Sequence, residues 1–109
     1  MTDELGQVFA ALADPTRRRV VETLLRDGST SAPALTSALP ITRQAVAKHL
    51  ATLDSAGLIE RLPGGGREVR YRLREGALAP ASSWLTETEV AWDRRLARLK
   101  RAVERGRRP

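Results

Sequence analysis

The sequence predicts a mainly α-helical (α+β) fold, a winged helix-turn-helix with five helices and a two-stranded β-hairpin wing. Three observations predict it. Most of the chain places apolar residues at helical spacing, and the break at Leu39-Pro40-Ile41 separates two adjacent helical segments. After Gly57, two short segments alternate apolar and polar residues with period two. A helix-turn-helix followed directly by a hairpin is the winged arrangement.

The first two helices are predicted over residues 4–13 and 15–26. Asp14 suits an N-cap and Pro15 the first helical position, while Asp27-Gly28 ends the second helix. The apolar face of the second helix is predicted to contain Val20, Val21, Leu24 and Leu25. Arg17 falls at the centre of that face, and an arginine facing the core needs a carboxylate or carbonyl partner. We therefore interpret Arg17 as a structural residue rather than a DNA contact.

The third and fourth helices form the predicted helix-turn-helix. Ser31 can cap a short third helix, whose predicted buried side consists of Ala34, Leu35 and Ala38. Thr42 can cap a fourth helix that runs to about Ala56, where Gly57 ends it. The buried side of this fourth helix is predicted from the spacing of Val46, Leu50 and Leu53.

The wing and a long last helix complete the predicted fold. The hairpin strands are residues 58–62 and 68–73, joined by the turn at 63–66. In the last helix, over residues 77–104, apolar residues share an arc of about 120°. This helix is too long for a small domain to cover alone. The presence of both tryptophans on the arc indicates an interface, with packing on the protein's own core as the alternative. Residues 1–104 are predicted to be one domain, and residues 105–109 a basic tail.

The charge distribution favours a polyanionic partner. The 109 residues have a net charge of +6, and the excess of basic side chains lies after residue 40. Residues 41–75 carry seven basic and four acidic side chains, and residues 76–109 carry eight and four. Such a basic balance is typical of nucleic-acid binding, and a solubilising surface is the alternative.

Several functional classes are excluded or disfavoured by residues the sequence lacks. With no cysteine and one histidine, the chain cannot form a disulfide, a thiolate metal site or a cysteine nucleophile, and no metal or cofactor is expected. No acid–base pair or phosphate loop is present, so an enzyme is not expected. No apolar run approaches the ~20 residues of a membrane span, and Asp3 and Glu4 argue against a secretory signal. We expect a cytoplasmic protein without a membrane partner.

Three segments together resemble the ArsR-type winged-helix repressors. They are the opening Ala11-Leu12-Ala13-Asp14-Pro15-Thr16-Arg17, the segment from Thr42 to Leu50, and a glycine-rich wing ending in Val69-Arg70-Tyr71-Arg72-Leu73. The likeness covers about residues 5–75 in order and spacing. The last helix, with Trp84 and Trp92, resembles that of the non-metal branch, in which the first and last helices usually form a homodimer. Metal-sensing members use cysteines near the third helix, or histidine and carboxylate ligands on the last helix. Here the third helix has no cysteine and the last has no histidine.

The fourth helix and the wing contain the candidate DNA contacts. An α-helix fits the major groove, and its N-terminal residues reach base edges. Gln44 can pair with adenine, Arg43 can reach guanine or a phosphate, and Ala45 can pack on a thymine methyl group. The complete predicted set is Thr42, Arg43, Gln44, Ala45, Lys48, His49, Arg67, Arg70 and Arg72.

Some members of this set have alternatives. Thr42 and Lys48 suit phosphates, and Arg67, beside the glycines, suits a phosphate or the minor groove. For His49 the alternative to a DNA contact is a half-buried imidazole. Arg70 and Arg72 share one face of their strand, where they contact the DNA backbone or form the exposed side of the hairpin.

The predicted function is a sequence-specific, double-stranded-DNA-binding transcriptional regulator, a homodimeric repressor on a palindromic operator. A winged-helix module that docks on protein or RNA is the alternative. The predicted dimer interface consists of Leu5, Val8, Phe9, Trp84, Leu85, Thr88, Trp92, Leu96 and Leu99. The sequence identifies neither an operator nor an inducer.

Overall fold

The structure, a computed structural model, describes residues 3–63 and 66–107. Within these ranges lie five helices and one three-stranded antiparallel sheet. The helices are α1 (Glu4–Leu12), α2 (Pro15–Asp27), α3 (Ala32–Ala38), α4 (Arg43–Ser55) and α5 (Ala79–Gly106). The strands are β1 (Thr30–Ser31), β2 (Ile59–Arg61) and β3 (Arg70–Leu73). The predicted winged helix-turn-helix is confirmed.

The chain forms two compact units, Met1–Leu78 and Ala79–Pro109. The first contains α1 to α4 and the sheet, and the second is the long helix α5. Because α5 continues to Gly106, the predicted tail starts two residues inside this helix. Residues 108 and 109 of that tail lie outside the described residues. No helix in the described part of the chain is long and apolar enough to span a membrane.

Hydrogen bonds confirm the predicted N-caps of α2, α3 and α4. The side chains of Asp14, Ser31 and Thr42 accept from backbone N–H groups in the first turns of α2, α3 and α4. Each bond satisfies one of the donors that a helix N-terminus leaves unpaired. Gly28 ends α2 with φ +82°, a left-handed conformation that glycine adopts without steric cost.

The core of the first unit lies where α2 packs against α1, α4 and the sheet. Its buried apolar side chains are Val8, Ala11, Val20, Val21, Leu24, Leu35, Val46, Leu50, Leu53, Leu58 and Ile59. Three residues that were predicted to lie on buried faces do not belong to this core. Leu25 is 64% exposed, and Ala34 and Ala38 are also exposed. Helical spacing predicts which side of a helix is apolar, but how much of that side is covered depends on the neighbouring elements.

The sheet has one strand more than the predicted hairpin. Its order is β1-β3-β2, and β1 pairs with β3 through Thr30 opposite Tyr71 and Ser31 opposite Arg70. With two residues, β1 is too short to show an alternating pattern, so the sequence analysis could not detect it. Pro63 and Gly66 of the predicted wing turn are described, whereas Gly64 and Gly65 lie outside the described residues.

Candidate nucleic-acid interface

The helix-turn-helix consists of α3, a turn over residues 39–42, and α4. The hydroxyl of Thr42 caps α4 by accepting from the N–H of Ala45 at 3.1 Å. Because an accepting hydroxyl keeps its own proton, Thr42 can still donate to an oxygen outside the protein. The side chain and the helix N-terminus together therefore favour an anion at this end of α4.

Helix α4 has one face in the core and one face in solvent. Val46 and Leu53 are fully buried and Leu50 is 4% exposed, which holds the helix against α2, α3 and β2. Arg43, Gln44 and Lys48 are exposed, as their predicted role requires. Two other predicted contacts, Ala45 and His49, are half-buried. The predicted polar contacts that are exposed, Arg43, Gln44 and Lys48, thus lie along the N-terminal half of α4.

Arg17 connects three helices of the first unit. Its Nε donates to the carbonyl of Ala11 at 2.7 Å, and its Nη2 donates to the carbonyl of Ala10 at 3.2 Å. Its Nη1 lies 3.4 Å from Nδ1 of His49 on α4. Because a guanidinium only donates, Nδ1 is the acceptor in this hydrogen bond. The predicted structural role of Arg17, with carbonyl partners, is confirmed.

His49 is half-buried and bonded to Arg17, which matches the structural alternative of the sequence analysis. Its Nδ1 faces the guanidinium of Arg17 on α2. Helical spacing placed His49 on the flank of α4, but no local pattern could identify Arg17 as its partner, 32 residues earlier.

Asp14, which caps α2, completes this network. Its carboxylate accepts from the N–H of Arg17 at 2.9 Å. That hydrogen bond, together with the positive charge of Arg17, lowers the pKa of Asp14 below its ordinary value of 3.8. The carboxylate therefore stays ionised to a lower pH than that of an ordinary aspartate.

The arginines of the wing differ in their surroundings. Glu60 and Arg72 face each other across β2 and β3, and Nε of Arg72 donates to the carboxylate at 2.9 Å. Arg70 donates to the hydroxyl of Ser29 at 2.9 and 3.1 Å, and lies 3.7 Å from the carboxylate of Glu68. Arg67 is exposed and forms no hydrogen bond or ion pair with the described residues. The wing arginine most available to a ligand is therefore Arg67.

The predicted dimer residues fall into two groups. On α5, large side chains are solvent-exposed at Trp84 (45%), Leu85 (53%), Trp92 (57%), Leu96 (44%) and Leu99 (60%), and Thr88 is exposed as well. On α1, Leu5 and Phe9 are half-buried, and Val8 is 7% exposed. Val8 belongs to the core of the first unit because α1 turns this side toward α2. Little of its side chain is left for a second copy.

A small surface pocket opens beside Arg17. It has a volume of about 270 Å³ and lies between α1, α2 and α4, lined by Gln7, Ala10, Ala11, Arg17, Thr52, Ser55 and Ala56. Pockets for drug-sized ligands usually measure about 300–1,000 Å³, so this one fits a small molecule at most. Within residues 3–63 and 66–107, no cluster of three carboxylate or imidazole side chains is placed to hold a metal ion.

The fold and the exposed face of α4 define a helix-turn-helix DNA-binding protein, and comparison with known proteins agrees. Residues 12–61 match the family model described as a helix-turn-helix domain. The HTH-type transcriptional regulator CmtR of Mycobacterium tuberculosis is 39% identical over 89 residues, which cover 82% of this chain and 74% of CmtR. An ArsR-like regulator of known structure is 43% identical over 91% of this chain, which therefore belongs to the ArsR family of winged helix-turn-helix transcriptional regulators.

Solved structures extend the comparison. An ArsR-like transcriptional regulator from Rhodococcus sp. RHA1 is 43% identical with a TM-score of 0.77, covering 91% of this chain and 92% of that one. The NMR structure of CmtR, described as a cadmium metal-sensor, has a TM-score of 0.56 over 73% of this chain and 81% of its own. The homodimeric DNA-binding domain of Mb0332 from Mycobacterium bovis shares the fold at 24% identity, with a TM-score of 0.62. The match covers 84% of this chain and 80% of that one. The relatives of this chain thus include a metal sensor.

Proposed function

We propose that this regulator is a homodimeric repressor that reads a palindromic operator with α4. The observation that carries the proposal is the division of α4 into two faces. Val46, Leu50 and Leu53 fix the helix in the core, while Arg43, Gln44 and Lys48 remain exposed near its capped N-terminus. A helix held in this way can enter the major groove with its N-terminal residues at the base edges.

The exposed side chains divide into base contacts and phosphate contacts. The amide of Gln44 can donate to and accept from one adenine, and the guanidinium of Arg43 can donate twice to one guanine. Lys48, Thr42 and the exposed guanidinium of Arg67 suit phosphates, which fix the protein's position but carry no sequence information. Ala45 is half-buried, so its methyl group would meet a thymine only along its exposed edge.

Arg70, Arg72 and His49 have lesser roles in this proposal. Each is bonded within the protein, to Ser29, Glu60 and Arg17 respectively. A DNA phosphate would have to compete with these partners. We therefore assign the three residues to the support of the wing and of α4.

The apolar arc of α5 supports the homodimer. Trp92 and Leu99 are more than half exposed on it, and large exposed apolar patches mark interaction surfaces. A second copy would present the same arc, as the self-complementary interface of a two-fold dimer requires. Leu5 and Phe9 of α1 are the further predicted members.

We also propose that the signal that releases the repressor is not a thiolate-bound metal. The 109 residues contain no cysteine, and the one histidine accepts from Arg17 through Nδ1. Thiolate ligation is therefore unavailable to this chain, although its relative CmtR is described as a cadmium sensor.

Selection of bound sequences from a random duplex library tests the function. A homodimer should enrich palindromes whose half-sites lie about one helical turn apart, ~10 base pairs or a multiple of it. Enrichment of single, non-repeated sites would contradict the dimeric mode. If no sequence were enriched, the protein- or RNA-docking alternative would replace the proposal.

A further inference from the structure

Helix α5 has a second surface, which lies away from its apolar arc. Arg94, Arg98, Arg101 and Arg105 follow one another at intervals of four, three and four residues. At this spacing they share an arc of about 60° on one side of the helix. They extend over about 16 Å of its length, because each residue rises 1.5 Å. We call these four residues the arginine stripe.

The stripe is exposed and not neutralised by the rest of the described chain. All four side chains are exposed, and none belongs to the ion pairs formed among the described residues, which involve Arg26, Arg70 and Arg72. Glu89 and Asp93 lie more than 100° from the centre of the stripe. Glu104 borders the stripe three residues after Arg101, and Glu87 shares its arc two turns before Arg94. On the arc of the stripe itself, no acidic side chain lies between Arg94 and Arg105.

The succession of like charges within the stripe is unfavourable for the isolated helix. Neighbours in the stripe are three or four residues apart, a spacing at which like charges destabilise a helix. An interleaved order of arginine and glutamate would instead have stabilised it. The repulsion would be relieved by a ligand with several negative charges in a row.

We propose that the arginine stripe binds the phosphate backbone of duplex DNA, as a sequence-independent contact in addition to α4. The inference rests on the proposed function. Duplex DNA offers one negative charge per ~1.7 Å of its axis, and a guanidinium pairs with phosphate through two parallel hydrogen bonds. The arc of the stripe contains no aromatic or large apolar side chain, whereas protein interfaces depend on such anchors. The charges therefore favour DNA over an acidic protein.

The stripe and the proposed dimer interface do not compete. Their centres are about 130° apart around α5, by the helical spacing of their residues. The four arginines would remain exposed when the apolar arc is covered by a second copy.

The salt dependence of DNA binding tests the proposal. Removing one arginine–phosphate pair should reduce the slope of log K against log salt by ~0.9, so Arg101→Gln should reduce it by about that amount. Arg98→Gln with Arg101→Gln should reduce it by about 1.8. The matched control is Lys100→Gln, which removes the same charge from the adjacent residue but outside the stripe, and should leave the slope unchanged. The reductions should be equal on operator and random duplexes.

Two further measurements keep the test decisive. Arg94→Gln with Arg105→Gln, at the two ends of the stripe, should behave like the first double variant. The proposal would be overturned if either double variant remained helical and kept the wild-type slope of log K against log salt. It would also be overturned if a double variant lost DNA affinity only because it had become monomeric. Either outcome would leave the proposed function intact, provided that the wild type binds its operator more tightly than random duplex. If the wild type instead had no sequence preference, the proposed function alone would fail.

Discussion

The guanidinium of Arg17 on α2 lies 3.4 Å from the imidazole Nδ1 of His49 on α4, while its other nitrogens donate to the carbonyls of Ala10 and Ala11 on α1. One side chain thus joins the C-terminal end of α1 to the helix proposed to read DNA. Any displacement of α1 relative to α2 would have to lengthen or break these bonds. Arg17 therefore positions α4 from α2, outside the face of α4 that is proposed to bind DNA.

We expect Arg17→Met to lower the free energy of unfolding by about 1–3 kcal/mol, because the carbonyl acceptors of a charged donor are left without their bonds. The matched control is Arg18→Met. Arg18 also donates to carbonyls at the end of α1, those of Leu12 and Ala13, but has no bond to α4 among the described residues. Urea unfolding of each variant, alone and combined with His49→Ala, would measure the coupling. We expect an interaction free energy of at least ~0.5 kcal/mol between Arg17→Met and His49→Ala, and none between Arg18→Met and His49→Ala. An equal interaction free energy in the two pairs would refute the positioning role of Arg17.

Gln44→Ala should weaken binding to the selected operator by about 1–3 kcal/mol and leave the affinity for random duplex nearly unchanged. The reason is that its amide is proposed to bind a base edge. Lys48→Ala, on the same exposed face, is the comparison, because removing a phosphate ligand weakens binding to both duplexes alike. Titration of both proteins on both duplexes gives the four affinities. If Gln44→Ala reduced the affinity for operator and for random duplex by the same factor, Gln44 would have no role in base recognition.

Trp92→Ala should shift the protein from dimer toward monomer, because it removes the largest exposed side chain in the middle of the α5 arc. Val90→Ala is the matched control, since Val90 is also exposed, at 44%, but lies outside the arc. Sedimentation over a range of concentrations would give the dissociation constants. An equal effect of the two substitutions, or a monomeric wild type, would contradict the interface.

Within the wing, Arg67→Gln should reduce DNA affinity and its salt dependence more than Arg72→Gln does. Arg72 is bonded to Glu60 at 2.9 Å, whereas Arg67 is exposed and makes no such bond in the described part of the chain. The Arg72–Glu60 pair is itself partly exposed, so its removal should lower stability by ~1 kcal/mol at most. Affinity measured at several salt concentrations separates the two variants. A larger effect of Arg72→Gln would reverse the assignment.

Asp14→Asn should change how stability depends on pH. The bond from Arg17 N–H lowers the pKa of Asp14 in the folded state, so its carboxylate stabilises the fold above pH 3.8, its ordinary value. That contribution is lost as the pH falls through the lowered pKa. Since asparagine also caps helices, the variant should melt below the wild type at neutral pH and approach it in acid. A difference in Tm that stays constant with pH would contradict this assignment.

Much of the fold could be predicted because its determinants are local. The caps at Asp14, Ser31 and Thr42 depend on hydrogen bonds to residues three positions later, and all three form. The buried side of α4 follows from the spacing of Val46, Leu50 and Leu53, which places them on one side of a helix. Leu25 shows the limit of this reasoning, because no described element covers its part of the apolar face of α2 and it remains 64% exposed.

The sequence by itself determined the five helices, the wing and the polar face of α4, and its lack of cysteine ruled out thiolate chemistry. Only the tertiary structure decided which polar side chains remain available to DNA. His49 is bonded to Arg17, 32 positions earlier, and Arg70 to Ser29, 41 positions earlier. Arg72 is bonded to Glu60, the residue opposite it on the neighbouring strand. Helix and strand periods arise from the geometry of neighbouring residues, whereas such pairs exist only once the elements have packed together.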